Sequence, residues 1–224
     1  ISSIQQTIRD IRIYLPGFDR SDRLFHPQFV RSLEPFQVLR FMNWQRINNS
    51  TVVSWAEVPS TRYSTQSVRA GVSPEYMAML CNLAGTDMWV CVPHMADDQY
   101  VTNLASALDV VLRPDLAIYI EYSNEVWNSI FDQHHYAALQ GQSLATTSWT
   151  SAWRFYSQRS VQVFQLFASG LSPNRRLIRV LAGQSANPWI GQQIMDWQNA
   201  YQDADAYAVA PYFGGSLGSA SNAT

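Results

Sequence analysis

The chain has 224 residues, of which 47% are hydrophobic and 14% charged, a balance that suits one folded domain over residues 1–224 and excludes a disordered or coiled-coil chain. Its formal charge of −2 rests on 15 scattered cations, all arginine, so there is no basic stripe for nucleic acid and no lysine for Schiff-base chemistry. No apolar stretch approaches the roughly 18 residues of a membrane span, and the opening ISSIQQTIRD lacks a basic region followed by an apolar one, so no membrane insertion is expected.

In chain order, the first β-like run is IRIYL at 11–15, followed by FQVLRFM at 36–42. The second run leads into a long polar loop. It holds Asn43, Trp44, Trp55 and Glu57, the last expected at most to fringe a cleft. Asn48 and Asn49 begin two overlapping Asn-X-Ser/Thr patterns there, and Asn222 begins a third near the end; all three read as exposed glycosylation acceptors. Ser73-Pro74 is an N-cap and first-turn proline for a helix to about Leu83, with Gly85 as its stop. DMWVCV at 87–92 is the third strand. Cys81 and Cys91, on either side of its start, lack zinc-site spacing and read as two buried thiols. From Asp97 to Leu112 a helix is expected with Tyr100, Leu104, Leu108 and Val111 on one face and Asp97 and Asp98 as favourable charges at its start. LAIYIEY at 116–122 is the fourth strand, and His134-His135 reads as a solvated loop pair. A long helix over about 149–167, a strand at 176–182, a helix over about 189–201 and a strand at 206–212 complete the pattern before the loop-like tail GGSLGSASNAT.

Strands that are apolar for nearly their whole length and alternate with helices imply a parallel sheet covered by helices, since half-exposed antiparallel strands would alternate with polar residues. LPGFDRSD after the first strand has no G-x-G-x-x-G, which disfavours a dinucleotide fold, and no cofactor or metal is implied. Asn43, Trp44, His94, Asn124, Glu125, Gln184 and Tyr212 fall at the C-terminal ends of successive strands, where barrel active sites are built. The expected fold class is therefore α/β, a (β/α)8 TIM-type barrel. Six units at roughly 35 residues each leave it two short of the eight that need about 280 residues, so the rest of the same polypeptide or a companion chain is expected to complete it.

The chemistry centres on IYIEYSNEVWN at 118–128. Cleaving a glycosidic bond takes a proton donor at the leaving oxygen and a second carboxylate across the ring, about 5 to 5.5 Å away in retaining enzymes. Glu125, partly desolvated among aromatics, suits the donor, and Asn124 beside it suits a sugar hydroxyl. Trp44, Trp55, Trp127 and Trp189, in or after the expected mouth loops, offer flat faces to pyranose rings. Glu121 lies on the same face of the strand about 13 Å down it from Glu125, pointing into the barrel interior, and pairing with Arg12, Arg40 or Arg179 is expected instead.

The strand-end Asn124-Glu125 resembles the acid/base motif of the large glycoside hydrolase clan of (β/α)8 barrels that includes endoglucanases, endomannanases and β-glycosidases. Arg40 in LRFMNW, His94 in VPHMADD and Tyr212 in APYFGG are similar to the clan's arginine on strand two, histidine near the end of strand three and tyrosine after strand six. The resemblance implies Glu125 as general acid/base, with Asn124, Arg40, His94 and Tyr212 supporting nucleophile and substrate. It also implies a nucleophilic glutamate at the end of a seventh strand, which this sequence does not contain. Two expectations follow: a secreted retaining glycosidase acting on a poly- or oligosaccharide, or a non-catalytic carbohydrate-binding or extracellular structural glycoprotein derived from such a barrel.

Overall fold

The computed structural model describes Ile13, Pro16 and residues 24–211. The strand expected at 11–15 falls outside the described residues apart from Ile13, and Arg12, Tyr212 and Asn222 lie outside them altogether.

Among the described residues the elements run α1 (Pro27–Leu33), β1 (Val38–Arg40), α2 (Pro74–Ala84), β2 (Asp87–Val92), α3 (Asp98–Val111), β3 (Ile118–Tyr122), α4 (Asp132–Gln140), α5 (Ser148–Ser169), β4 (Leu177–Gln184), α6 (Pro188–Asp196) and β5 (Ala206–Ala210). The strands form one parallel sheet in the order β1-β2-β3-β4-β5, curled as a half-barrel. Each strand pairs with its neighbour in sequence, because each intervening helix carries the chain back to the start of the sheet.

Side-chain parity divides the sheet. Met88, Val90, Ile118 and Ile120 are fully buried, packed in one core with Leu104 and Leu108 of α3 and Phe164 and Phe167 of α5. The alternate positions carry Trp89, Cys91, Tyr119 and Glu121, and the register sets Arg40 beside Trp89 and Cys91 beside Glu121. That face is the concave one, and it carries the polar chemistry.

Local signals end the helices where the residues demand it. Pro74 opens α2, and Gly85, in the left-handed conformation at φ 69°, closes it with its N–H donated to Cys81 O at 2.8 Å. The Asp97 carboxylate accepts the Tyr100 N–H at 2.7 Å and caps α3. Arg175, paired with Asp109 at 2.8 Å, donates to Leu112 O at 3.0 Å and Arg113 O at 2.6 Å and closes the other end of α3.

Two expectations are corrected. The helix expected over about 189–201 is divided: α6 stops at Asp196, and Gln198 and Asn199 with positive φ kink the 3-10 turn that follows. His134 is not solvated: α4 buries it, and its Nδ1 lies 2.8 Å from Val126 O. Glu57 is occupied structurally, its Oε1 accepting the N–H groups of Val53 (2.8 Å) and Ser54 (3.0 Å) at the start of a 3-10 turn. Cys81 and Cys91 are free, buried thiols, and burial pushes Cys81 up to about 12.

Candidate functional site

β3 ends at Tyr122, whose hydroxyl donates to His94 O at 2.8 Å, while the Ser123 N–H donates to Val92 O at 2.8 Å. Beyond that anchor the backbone leaves the strand. Ser123 (φ 60°) and Glu125 (φ 43°) both take left-handed conformations that L side chains adopt reluctantly. The turn keeps Asn124 and Glu125 over the sheet instead of continuing the strand, so Glu121 and Glu125 line one cleft.

The cleft holds about 350 Å³. One wall carries Arg40, Trp89, Glu121, Asn124, Glu125 and Trp127. The other is formed by Ala182, Gly183, Ala208, Val209 and Ala210, whose small side chains for the most part leave the ends of β4 and β5 open to a ligand.

Glu121 organises the first wall. Its Oε2 accepts from Arg40 Nη2 (2.7 Å), Arg40 Nε (3.2 Å), Trp89 Nε1 (3.0 Å) and Cys91 Sγ (3.6 Å). Of the three arginines expected as partners, Arg40 is the one found, and Arg179 binds Asp205 instead. Burial pushes the Glu121 carboxyl above its ordinary value, with the Arg40 charge and the hydrogen bonds pulling the other way. Burial opposes the Arg40 charge, yet facing Cys91 and Glu121 hold its pKa above the usual arginine value. The guanidinium also lies 5.0 Å from the centre of the Trp89 ring.

Arg40 passes this order to Asn124. Its Nη2 donates to Asn124 Oδ1 at 2.9 Å, and Asn124 Nδ2 donates to Asn48 Oδ1 at 2.8 Å. Gln133 Nε2 closes the network by donating to both Asn48 Oδ1 and Asn124 O at 2.8 Å. Asn128 Nδ2 donates to Glu125 Oε2 at 3.0 Å. Glu125 is half-buried and borders the cleft.

Of the residues expected at the site, Arg40, Asn124, Glu125 and Trp127 meet in the cleft. Asn43 and Trp44 do not line it, because the chain turns away after β1: Gln45 N–H donates to Phe41 O, and Trp44 packs edge-on to Phe41 at 5.5 Å. His94 is only 4% exposed, sits against Tyr136 at 5.1 Å, and has an Nδ1 without a hydrogen-bond partner among the described residues. Burial lowers its pKa, and it too stands outside the cleft lining. Asn48 is half-buried in the network beneath Asn124, which corrects its reading as an exposed glycosylation acceptor, whereas Asn49 is exposed.

Trp89, Asn128 and Gln133 were not among the expected site residues. Trp89 shares strand-face parity with Cys91, which a period of two makes readable, but Gln133 meets Asn48 across 85 residues with no local signal. Among the described residues no group of three or more His, Cys, Asp or Glu converges as a metal site, and no helix is long and apolar enough to cross a membrane. Comparison with protein-family models, curated proteins and solved structures gives no match.

Proposed function

We propose that the cleft binds a carbohydrate and that the chain is a retaining glycosidase hydrolysing O-glycosidic bonds in a poly- or oligosaccharide, with its five parallel strands forming part of a (β/α)8 barrel. The observation that carries this reading is the convergence of Arg40, Asn124, Glu125 and Trp127 on one cleft. A half-buried carboxyl can donate a proton to a leaving oxygen, a neighbouring indole can stack on a pyranose face, and Asn124 keeps one free N–H for a sugar hydroxyl.

Glu125 is the general acid/base in this scheme. Glu121 is unsuited to nucleophilic attack, because its side chain is 2% exposed and Oε2 already serves four donors. The nucleophile is therefore assigned to a carboxylate contributed by a further βα unit of the same polypeptide or of a companion chain. Secretion accords with this reading, with Asn49 as the better placed of the two loop acceptors for a glycan.

Glu125→Gln removes the transferable proton while keeping the Asn128 contact. Hydrolysis of aryl glycosides and of a polysaccharide panel by the intact protein is expected to fall at least about a hundredfold, the usual yield of general acid/base catalysis, with the circular dichroism spectrum unchanged. Undiminished turnover removes Glu125 from the mechanism. The second reading, a carbohydrate-binding protein without catalysis, is favoured by the burial of Glu121 and the four donors on its Oε2. It predicts glycan binding that Trp127→Ala weakens, with no hydrolysis by the intact protein.

A further inference from the structure

A second groove lies where α5 and α6 begin. It holds about 740 Å³ and is lined by Gln142, Thr146, Trp149, Arg154, Trp189 and Gln193, among others, none of which lines the cleft around Glu125. α6 starts at Pro188, just beyond the end of β4 at Gln184, so the groove opens toward the end of the sheet that carries Glu125.

Trp149 and Trp189 are 54% and 44% exposed, and neither is required by the core. Both rest on buried Trp153, with ring centres 6.1 Å and 5.3 Å away and interplanar angles of 45° and 85°. One buried indole thus fixes the orientation of two exposed ones. The rim between them is polar but uncharged. Among the described residues the side chains of Gln142, Thr146 and Gln193 make no hydrogen bond, leaving amide and hydroxyl groups available. Arg154, the one charged residue among those lining the groove, is drawn to one side: Nη1 donates to Leu144 O at 2.6 Å, and the guanidinium lies 4.5 Å from the centre of the Trp197 ring.

Fixed aromatic faces flanked by neutral hydroxyl and amide groups match the two surfaces of a sugar ring, an apolar C–H face and a rim of hydroxyls. A multiply charged or phosphorylated ligand would find a single guanidinium here, already turned toward Leu144 O and the Trp197 ring, so the lining suits a neutral ligand better. We propose that this groove is a second carbohydrate-binding site, taking a segment of neutral glycan on Trp149 and Trp189 independently of any reaction at Glu125.

The test is affinity electrophoresis of the intact protein in gels containing galactomannan, mixed-linkage β-glucan or xylan. The Trp127→Ala protein, impaired in the cleft, is expected to remain retarded in at least one gel. Adding Trp149→Ala or Trp189→Ala is expected to weaken that retardation about tenfold, the order of one lost aromatic contact. Both indoles are exposed, so truncation spares the core; Gln193→Ala, with a smaller loss in the same gel, serves as a second variant, and circular dichroism checks the fold. Retardation abolished by Trp127→Ala alone, retardation unaffected by both groove tryptophans, or no retardation in any gel overturns the proposal. So does self-association that Trp149→Ala abolishes in a protein no gel retards, which makes the face a protein interface. Retardation through the groove without hydrolysis supports this site and counts against the hydrolase reading alone.

Discussion

Glu121 and Arg40 stand 81 residues apart in sequence, yet their contact decides what the cleft wall can present. The Arg40 side chain keeps 32% of its surface in solvent while that of Glu121 keeps 2%, so the carboxylate is the member that cannot do without its partners. Glu121→Ala leaves the guanidinium and the Trp89 N–H facing a cavity. A loss of about 3 kcal/mol or more is expected in urea unfolding, with weaker glycan binding because Arg40 no longer holds Asn124. Glu121→Gln keeps an acceptor oxygen and is expected to lose less; equal losses for the two variants would assign the effect to packing. His94 provides a residue-level prediction in pH. Burial lowers its folded pKa below the ordinary imidazole value of about 6.5, so the unfolded chain takes up the proton first on acidification. Its contribution is full above about pH 6.5 and is lost as the pH falls from there toward the lowered folded value. Urea midpoints measured at about pH 7.5 and pH 5.5 are expected to differ less in His94→Gln than in the parent protein, and identical differences would free His94 of this role.

At the scale of elements, the long loop after β1 holds the site together as firmly as the strands do. Gln45 clamps it to β2 through both ends of its amide, accepting from Cys91 N–H and donating to Cys91 O at 2.8 Å each. Gly71 then passes so close to Trp44 and Gln45 that an added Cβ would meet Trp44 O and lie 2.8 Å from Gln45 Cα, at a φ of 86°. Gly85 has the same handedness at φ 69° but open space around it. Gly85→Ala is therefore expected to lower stability by about 1 kcal/mol, the conformational term alone. Gly71→Ala adds a collision with backbone and is expected to lose several times more, as read from thermal midpoints; similar losses for both would mean that the loop yields freely. The helices behaved as their local signals required, since Pro74, Gly85 and Asp97 act within one turn of their own position. α1 and α4 carry end signals too, Pro27 in the first and Gly141 closing the second, but they bury little, with no buried residue in α1 and only Gln133, His134 and Ala137 in α4, and neither was expected from the sequence.

Across the whole molecule, burial is graded through the sheet. β2 and β3 are covered on the helix side and flanked by strands on both edges, whereas Val209 in β5 is 50% exposed. Hydrogen exchange is expected to be slowest at Val90 and Ile120 and fastest in β5, and uniform protection across the sheet would contradict this gradient. The sequence by itself determined the parallel α/β class, the strands from 36 onward and the longer helices, because apolar run length, period and end signals act between near neighbours. It also marked Asn124 and Glu125. Tertiary structure alone decided that the chain turns at Ser123, that Glu121 takes Arg40 from among its expected partners, that Asn48 and Gln133 brace Asn124, and that Asn43, Trp44 and His94 stand outside the cleft. These contacts join residues up to 85 positions apart, and their geometry is set by how strands and loops stack around a shared core, which no local pattern encodes.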